Sequence, residues 1–175
     1  HITARIKTPE SIVKKLKRYG QESTIDKMVK YINDIAGIRI ICSFTSDIYR
    51  IADMIRDQRD IKVIAVKDYI TYPKASGYKS YHMIVSIPVY LSDRTVDTKV
   101  EVQIRTVAMD FWASLEHKIH YKFEGDAPEN IKNELVECAR MVSDLDARML
   151  SLNEEILAIS KKREEEKQLN SGTSK

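Results

Sequence analysis

The chain opens on an alternation. Ile2, Ala4 and Ile6 are apolar, and Thr3, Arg5 and Lys7 between them are polar, which predicts a half-buried strand with Arg5 and Lys7 on the face away from the core. Thr8-Pro9-Glu10 then starts a helix, with Thr8 as its N-cap and Pro9 in its first turn; Ile12, Val13 and Leu16 form its apolar stripe and Gly20 ends it. A second short helix follows from about Thr24, with Ile25, Met28, Val29 and Ile32 on one side. Residues 35–44 form an almost continuous apolar run broken by Gly37 and Arg39, a pattern for a central strand buried on both faces. Ser46-Asp47 caps a third helix bearing Ile48, Ile51, Ala52 and Ile55, and Ile61–Val66 is a further strand.

From Lys67 to Ser80 the periodicity lapses, and Pro73, Ser76 and Gly77 mark a long surface loop of the kind that usually carries function. Tyr81–Val89 and Lys99–Arg105 alternate again and are joined by a polar turn at Ser92-Asp93-Arg94, predicting an antiparallel hairpin. Thr106 begins a helix with Ala108, Trp112, Leu115 and Ile119 toward the core and Asp110, Ser114, His117 and Tyr121 opposite. A last long helix follows Pro128 and decays into charge from Lys161. Leu135, Cys138, Val142, Leu145, Met149, Leu152, Ile156 and Ile159 recur along it at spacings of three and four, a heptad seam suited to a homo-oligomer interface. Strand, two helices, strand, helix, three strands and two helices predict an α/β (α+β) fold with a mixed sheet and flanking helices.

Composition narrows the class. At 175 residues one domain is the default, and 43% hydrophobic residues can build a packed core. There is no run of eighteen apolar residues and no signal-peptide pattern, so the expectation is a cytoplasmic protein without a membrane span. The first residue is His1, so a trimmed or partial chain is expected. Two cysteines are no disulfide framework, and Cys42 inside an apolar run reads as a small core residue. The net charge is only +3, but residues 5–18 hold six cations against Glu10 alone, a cluster that attracts phosphate. A solvated helix face would have the same composition.

Chemistry concentrates on the last strand of the hairpin. Val100, Val102 and Ile104 point one way and Lys99, Glu101, Gln103 and Arg105 the other. An ordinary solvated sheet face explains that row, but Asp34 at the mouth of the residue 35–44 strand adds a second carboxylate. A carboxylate pair from neighbouring strands is the usual means of holding Mg²⁺ against substrate phosphates. Tyr78 and Tyr81, set among Lys74, Lys79 and small residues, suit stacking on a base. His117 and His120 lack a third metal ligand, and no P-loop or G-x-G-x-x-G occurs.

The segments D-I-A-G-I-R (Asp34–Arg39), K-A-S-G-Y-K-S-Y-H (Lys74–His82) and V-E-V-Q-I-R-T-V-A-M-D-F-W-A-S-L-E-H (Val100–His117), with the opening H-I-T-A-R-I-K, resemble the synthetase domain of RelA/SpoT-type alarmone synthetases. The long final helix resembles their short single-domain members, the small alarmone synthetases. No His-Asp dipeptide of the companion hydrolase domain occurs. The resemblance implies a nucleotidyltransferase-like five-stranded sheet over residues 1–125, C-terminal helix or helices for packing and oligomerisation over 126–168, and a disordered tail from 169 to 175. It implies transfer of the β,γ-pyrophosphate of ATP to the 3′-hydroxyl of GDP or GTP, giving ppGpp or pppGpp, with Mg²⁺ as cofactor and a tetramer as assembly.

By that resemblance Arg5 and Arg39 sandwich the adenine, while Lys7, Ser11, Lys15 and Arg18 meet the ATP phosphates. Asp34 binds Mg²⁺, and Glu101 is a second metal ligand or the base for the 3′-hydroxyl. Tyr78 stacks on guanine, Lys67, Lys74 and His82 lie near the acceptor phosphates, Gln103 and Arg105 line the site, and Asp110 contacts guanine. Two other classes compete: a nucleic-acid-binding module using the basic segment and loop tyrosines, and a non-catalytic relative that binds alarmone. The first leaves the carboxylate pair without a purpose, and the second is at odds with a complete set of polar positions.

Overall fold

A computed structural model describes residues 1–122 and 127–172. The elements run β1 (Ile2–Ile6), α1 (Pro9–Arg18), α2 (Ile25–Tyr31), β2 (Ala36–Cys42), α3 (Thr45–Arg56), β3 (Lys62–Asp68), β4 (Tyr81–Tyr90), β5 (Thr95–Thr106), α4 (Val107–Lys122) and α5 (Glu129–Gly172), in the order the sequence predicts. The five strands form one mixed sheet in the order β1-β2-β5-β4-β3. β2 and β5 pair in parallel, and every other pair is antiparallel.

The sheet has two unlike faces. Ala36, Ile38 and Ile40 of β2, Val100, Val102 and Ile104 of β5 and Met83 and Val85 of β4 pack with Ile48 and Ala52 of α3 into the main core. A second cluster joins Trp112 and Ala113 of α4 to Ala139 of α5, with Tyr78 from the loop against it. Trp112 Nε1 donates to the Leu135 carbonyl at 3.0 Å, tying α4 to α5. At the top of β5, Thr106 Oγ1 accepts from Met109 N and donates to the buried Asp146 carboxylate of α5 at 2.7 Å, so one hydroxyl caps α4 and anchors α5.

Several expectations change. β5, not β2, is the central strand, and β2 is half-buried throughout rather than sealed on both faces. β1 is an exposed edge strand whose Ile2 and Ile6 are 67% and 81% exposed, because no described helix covers them. α3 starts at Thr45, and Asp47 lies in its first turn, accepting from Phe44 N at 3.2 Å. Ile25 and Val29 of α2 are exposed, and Ile32, just past its end, is the buried residue. On α4 the core side is Met109, Trp112 and Ala113, whereas Leu115 and Ile119 are exposed. α5 runs on through the charged stretch to Gly172, so residues 169–172, expected in a disordered tail, are helical; the Lys, Glu, Gln and Leu of that stretch are good helix formers. Leu145, Met149, Leu152, Ile156 and Ile159 of its seam are exposed. The side chains of His120 and Tyr121, the 125/126 boundary and residues 173–175 lie outside the described residues.

Candidate active site

Strand register builds the polar face. Thr3 of β1 pairs with Arg39 of β2, Arg39 with Gln103 of β5, Gln103 with His82 of β4, and His82 with Lys67 of β3. One polar row therefore crosses all five strands. Beside it run Arg5, Gly37 and Glu101. Because alternate residues share a face, these side chains stand opposite the apolar core that α3 covers. Gly37 contributes no side chain, and a groove of about 270 Å³ opens there between Arg5, Arg39, Glu101 and Gln103.

At the lower end of the groove, Asp34 precedes β2 and receives Lys7 Nζ at 3.0 Å and Lys15 Nζ at 2.8 Å. Burial alone would raise the Asp34 carboxyl pKa, but the hydrogen bonds and charges of Lys15 and Lys7 outweigh it and hold the group below its ordinary value. Lys7 reaches it from just past β1 and Lys15 from α1, so two elements of the basic segment converge on one acid. Ser11 and Arg18 share the Lys15 stripe of α1 and are exposed. Ser11 is engaged with the helix cap, its backbone N–H meeting Thr8 Oγ1.

At the upper end, the residue 69–80 loop folds over the sheet. Lys74 Nζ lies 4.9 Å from the Tyr69 ring centre and 4.8 Å from that of Tyr78, between two aromatic faces. Tyr78 OH is 3.0 Å from His82 Nε2, and His82 Nδ1 is 3.5 Å from Glu101 Oε1. Gln103 Nε2 donates to Glu101 Oε2 at 3.2 Å. The hydrogen bond from His82 lowers the Glu101 pKa most, and with the His82 charge and Gln103 it outweighs burial, so the carboxylate is held ionised. The negative charge of Asp34 pushes the other way on Glu101, so the two acids sense each other.

Arg105 departs from the expectation that it lines the site. It is buried, 5% exposed, and donates to Ser80 Oγ, Asp110 Oδ1, Tyr78 OH and Gln103 Oε1. The loop, α4 and β5 enclose it. Asp110 Oδ1 also lies 3.6 Å from Arg39 Nη1, so one carboxylate serves two arginines. Arg39 Nε is buried without a partner among the described residues. Lys67 is exposed at the β3 end of the polar row. Tyr69 and Ser80 belong to this constellation without having been singled out from the sequence; the signal for Tyr69 was membership of the aperiodic loop, and Ser80 lay within the Lys74–His82 segment.

The donor set suits a hard cation. Asp34 and Glu101 offer carboxylate oxygens, and Mg²⁺ is commonly held by one or two carboxylates, its other ligands being water and substrate phosphates. Among the described residues no group of three or more His, Cys, Asp or Glu side chains gathers as a closed metal site.

Residues 4–126 match the family described as the region found in RelA/SpoT proteins. The chain is 49% identical over 156 residues to the GTP pyrophosphokinase YwaC of Bacillus subtilis, covering 89% of this chain and 74% of that protein. The crystal structure of small alarmone synthetase 2 from Bacillus subtilis superposes with a TM-score of 0.81 at 48% identity, over 89% of this chain and 80% of that one. Small alarmone synthetase 1 from the same organism, bound to its product pppGpp, also gives 0.81, at 37% identity over 89% and 78% of the two chains.

Proposed function

The chain belongs to the RelA/SpoT family and is a GTP pyrophosphokinase, and from that premise we propose how its polar sheet face divides the work between donor and acceptor. The observation that carries the reading is the polar row crossing the sheet, with Asp34 tethered by two lysines at one end and Glu101 held by His82 and Gln103 beneath the tyrosine loop at the other.

ATP occupies the Gly37 groove. Arg5 and Arg39 flank it and take the adenine between planar guanidinium groups, which stack well on aromatic rings. Lys7 and Lys15, with Ser11 and Arg18 on the outer stripe of α1, meet the triphosphate. Asp34, with Glu101 as its companion carboxylate, would hold Mg²⁺, and the ion would supply charge neutralisation at the substrate phosphates. The acceptor guanine stacks on Tyr78, its edge donors facing Asp110, and Lys67, Lys74 and His82 approach its phosphates. Gln103 lines the floor.

The reaction joins the acceptor 3′-oxygen to the β-phosphorus of ATP and breaks the bond between that phosphorus and the α,β-bridging oxygen, releasing AMP. Glu101 takes the 3′-hydroxyl proton. It is suited to that because His82 and Gln103 keep it ionised and fix its two oxygens. Little covalent chemistry is asked of the protein; alignment and charge neutralisation do most of it.

The exposed apolar seam of α5 supports a homo-oligomer, with a tetramer as our reading, and no described helix is long and apolar enough to cross a membrane. We place the protein in the cytoplasm, where its nucleotide substrates are. Nucleic acid is not required.

The test combines the protein with ATP, GDP or GTP and Mg²⁺ and resolves the nucleotides by anion exchange. AMP and a more charged guanine nucleotide should appear in equal amounts. Glu101→Gln should keep GDP binding and lose turnover by about 10²–10⁴-fold, the usual worth of a general base. Turnover near the wild-type rate would remove Glu101 from the chemistry.

A further inference from the structure

Arg105 presents the most completely committed cation in the molecule's polar face. A guanidinium has five N–H donors in a rigid plane. Here four hydrogen bonds go to protein: Nε to Ser80 Oγ at 3.4 Å, Nη1 to Asp110 Oδ1 at 3.0 Å, and Nη2 to Tyr78 OH at 2.6 Å and to Gln103 Oε1 at 3.1 Å. Its charged centre also lies 5.2 Å from the Tyr78 ring centre. With the side chain 6% exposed, a nucleotide could reach it only by dismantling those bonds.

Two of the bonds close a ring. From Arg105 one path runs through Tyr78 OH to His82 Nε2 and from His82 Nδ1 to Glu101 Oε1. The other runs through Gln103, whose Oε1 accepts from Arg105 and whose Nε2 donates to Glu101 Oε2. Proton directions around the ring are consistent. Tyr78 oxygen accepts from Arg105; with neutral His82 the tyrosine gives its own proton to Nε2, with charged His82 the Nε2–H donates to the tyrosine oxygen, and in both states the Nδ1 proton faces Glu101. The Gln103 amide is fixed in one orientation, because its oxygen must face a cation and its nitrogen a carboxylate.

We propose that Arg105 is a positioning residue for the acceptor: through this closed ring it sets the plane of the Tyr78 ring and the aim of Glu101 without touching either nucleotide. The proposal rests on the acceptor-site reading given above. Its physical content is preorganisation. Tyr78 is carried by a loop, and a ring held in place before the base arrives spares the acceptor the cost of ordering it. The same guanidinium fixes the carboxylate that must point at the 3′-hydroxyl, so stacking surface and base are aligned by one planar group. Lysine cannot replace it, since a single ammonium does not span acceptors arranged around a plane.

Steady-state kinetics with ATP, GDP and Mg²⁺ tests this with Arg105→Lys, Tyr78→Phe and the double variant. Tyr78→Phe keeps the stacking ring and deletes the hydroxyl through which Arg105 holds it. Each single change should raise the KM for GDP by about tenfold, the scale of one charge-assisted hydrogen bond, and leave the KM for ATP within about twofold. The double variant should be little worse in GDP KM than the worse single, because both remove the same link. Additive effects, or an ATP KM that rises in step with that of GDP, would overturn the proposal. Tyr78→Ala separates it from its premise. If that variant raises the GDP KM while the cycle is additive, the acceptor site stands and Arg105 loses its role; if it leaves the GDP KM unchanged, both fall. Should Arg105→Lys not fold, Tyr78→Phe decides alone: a raised GDP KM supports the link and an unchanged one refutes it.

Discussion

Gly77 offers the sharpest quantitative test of how the tyrosine loop is seated. Its φ is +86°, in the left-handed region, and a Cβ built there would lie 2.5 Å from the Cβ of Ala139 on α5. Both terms oppose Gly77→Ala. Left-handed backbone costs a non-glycine residue about 1–2 kcal/mol. Forcing a methyl into a packed contact adds about 1–3 kcal/mol, since the other near atoms, Val136 Cα at 3.7 Å and Trp112 Cζ2 at 3.9 Å, leave little room to slide. The expected loss is about 2–5 kcal/mol, a large part of an ordinary domain's stability. Ala139→Gly should cost about 1 kcal/mol in helix propensity and a further ~0.8 kcal/mol for a buried methyl. The double variant moves that methyl from the helix to the loop, so the overlap disappears and only the backbone strain remains. Urea unfolding of the four proteins, followed by far-UV circular dichroism, should therefore show about 1–3 kcal/mol of favourable coupling. Additivity within about 0.5 kcal/mol would mean that the loop does not rest on α5 at this point.

Three further outcomes follow from other parts of the structure. Gly37→Ala meets only ordinary contacts, Arg5 Cγ and Nε at 3.7 Å and Glu101 O at 3.8 Å, so thermal unfolding should be unchanged or slightly later while the KM for ATP rises, because the new methyl enters the groove; an unchanged ATP KM would move the donor elsewhere. Burial and then the Asp47 charge push the Cys42 thiol up to about 11, so at pH 8 it is protonated, and in a Cys138→Ser variant a thiol reagent should label Cys42 only after denaturation; native labelling of that variant contradicts this. Leu152 and Ile156 are 55% and 61% exposed on the α5 seam, and replacing both with Asp should lower the mass measured by light scattering while circular dichroism stays native; a wild-type chain that is already monomeric at micromolar concentration would end the oligomer reading.

Legibility in the sequence followed the range of the interactions involved. The β5 alternation was readable because a period of two says which residues share a face, and Val100, Val102 and Ile104 do face the core opposite Glu101 and Gln103. The same alternation put Arg105 on the site face but could not reveal that α4 and the loop roof it over. β1 was recognisable as a strand, yet its burial depended on whether a helix would cover the sheet edge, and among the described residues none does. Asp34 stood out as an acid at a strand mouth, whereas its two lysines converge from separate elements, a meeting that no local pattern encodes. The fall of periodicity between residues 67 and 80 marked the loop, two residues early because β3 runs on to Asp68, without saying that Tyr69 would help to clamp Lys74.

The parallel pairing of β2 with β5 has a consequence for how the protein is made. Gly37 and Glu101 become neighbours only when that pairing closes, and everything between them in the chain must be looped out first. During synthesis β1, β2 and α3 are available well before β5, so β2 waits with an unpaired edge and its apolar side only partly covered by α3. Such an edge invites pairing with other chains. The last strand to arrive is thus the one that both seals the sheet and completes the acid pair, and no partly assembled chain can bring Asp34 and Glu101 together. Catalytic competence and protection from aggregation are acquired in a single late event.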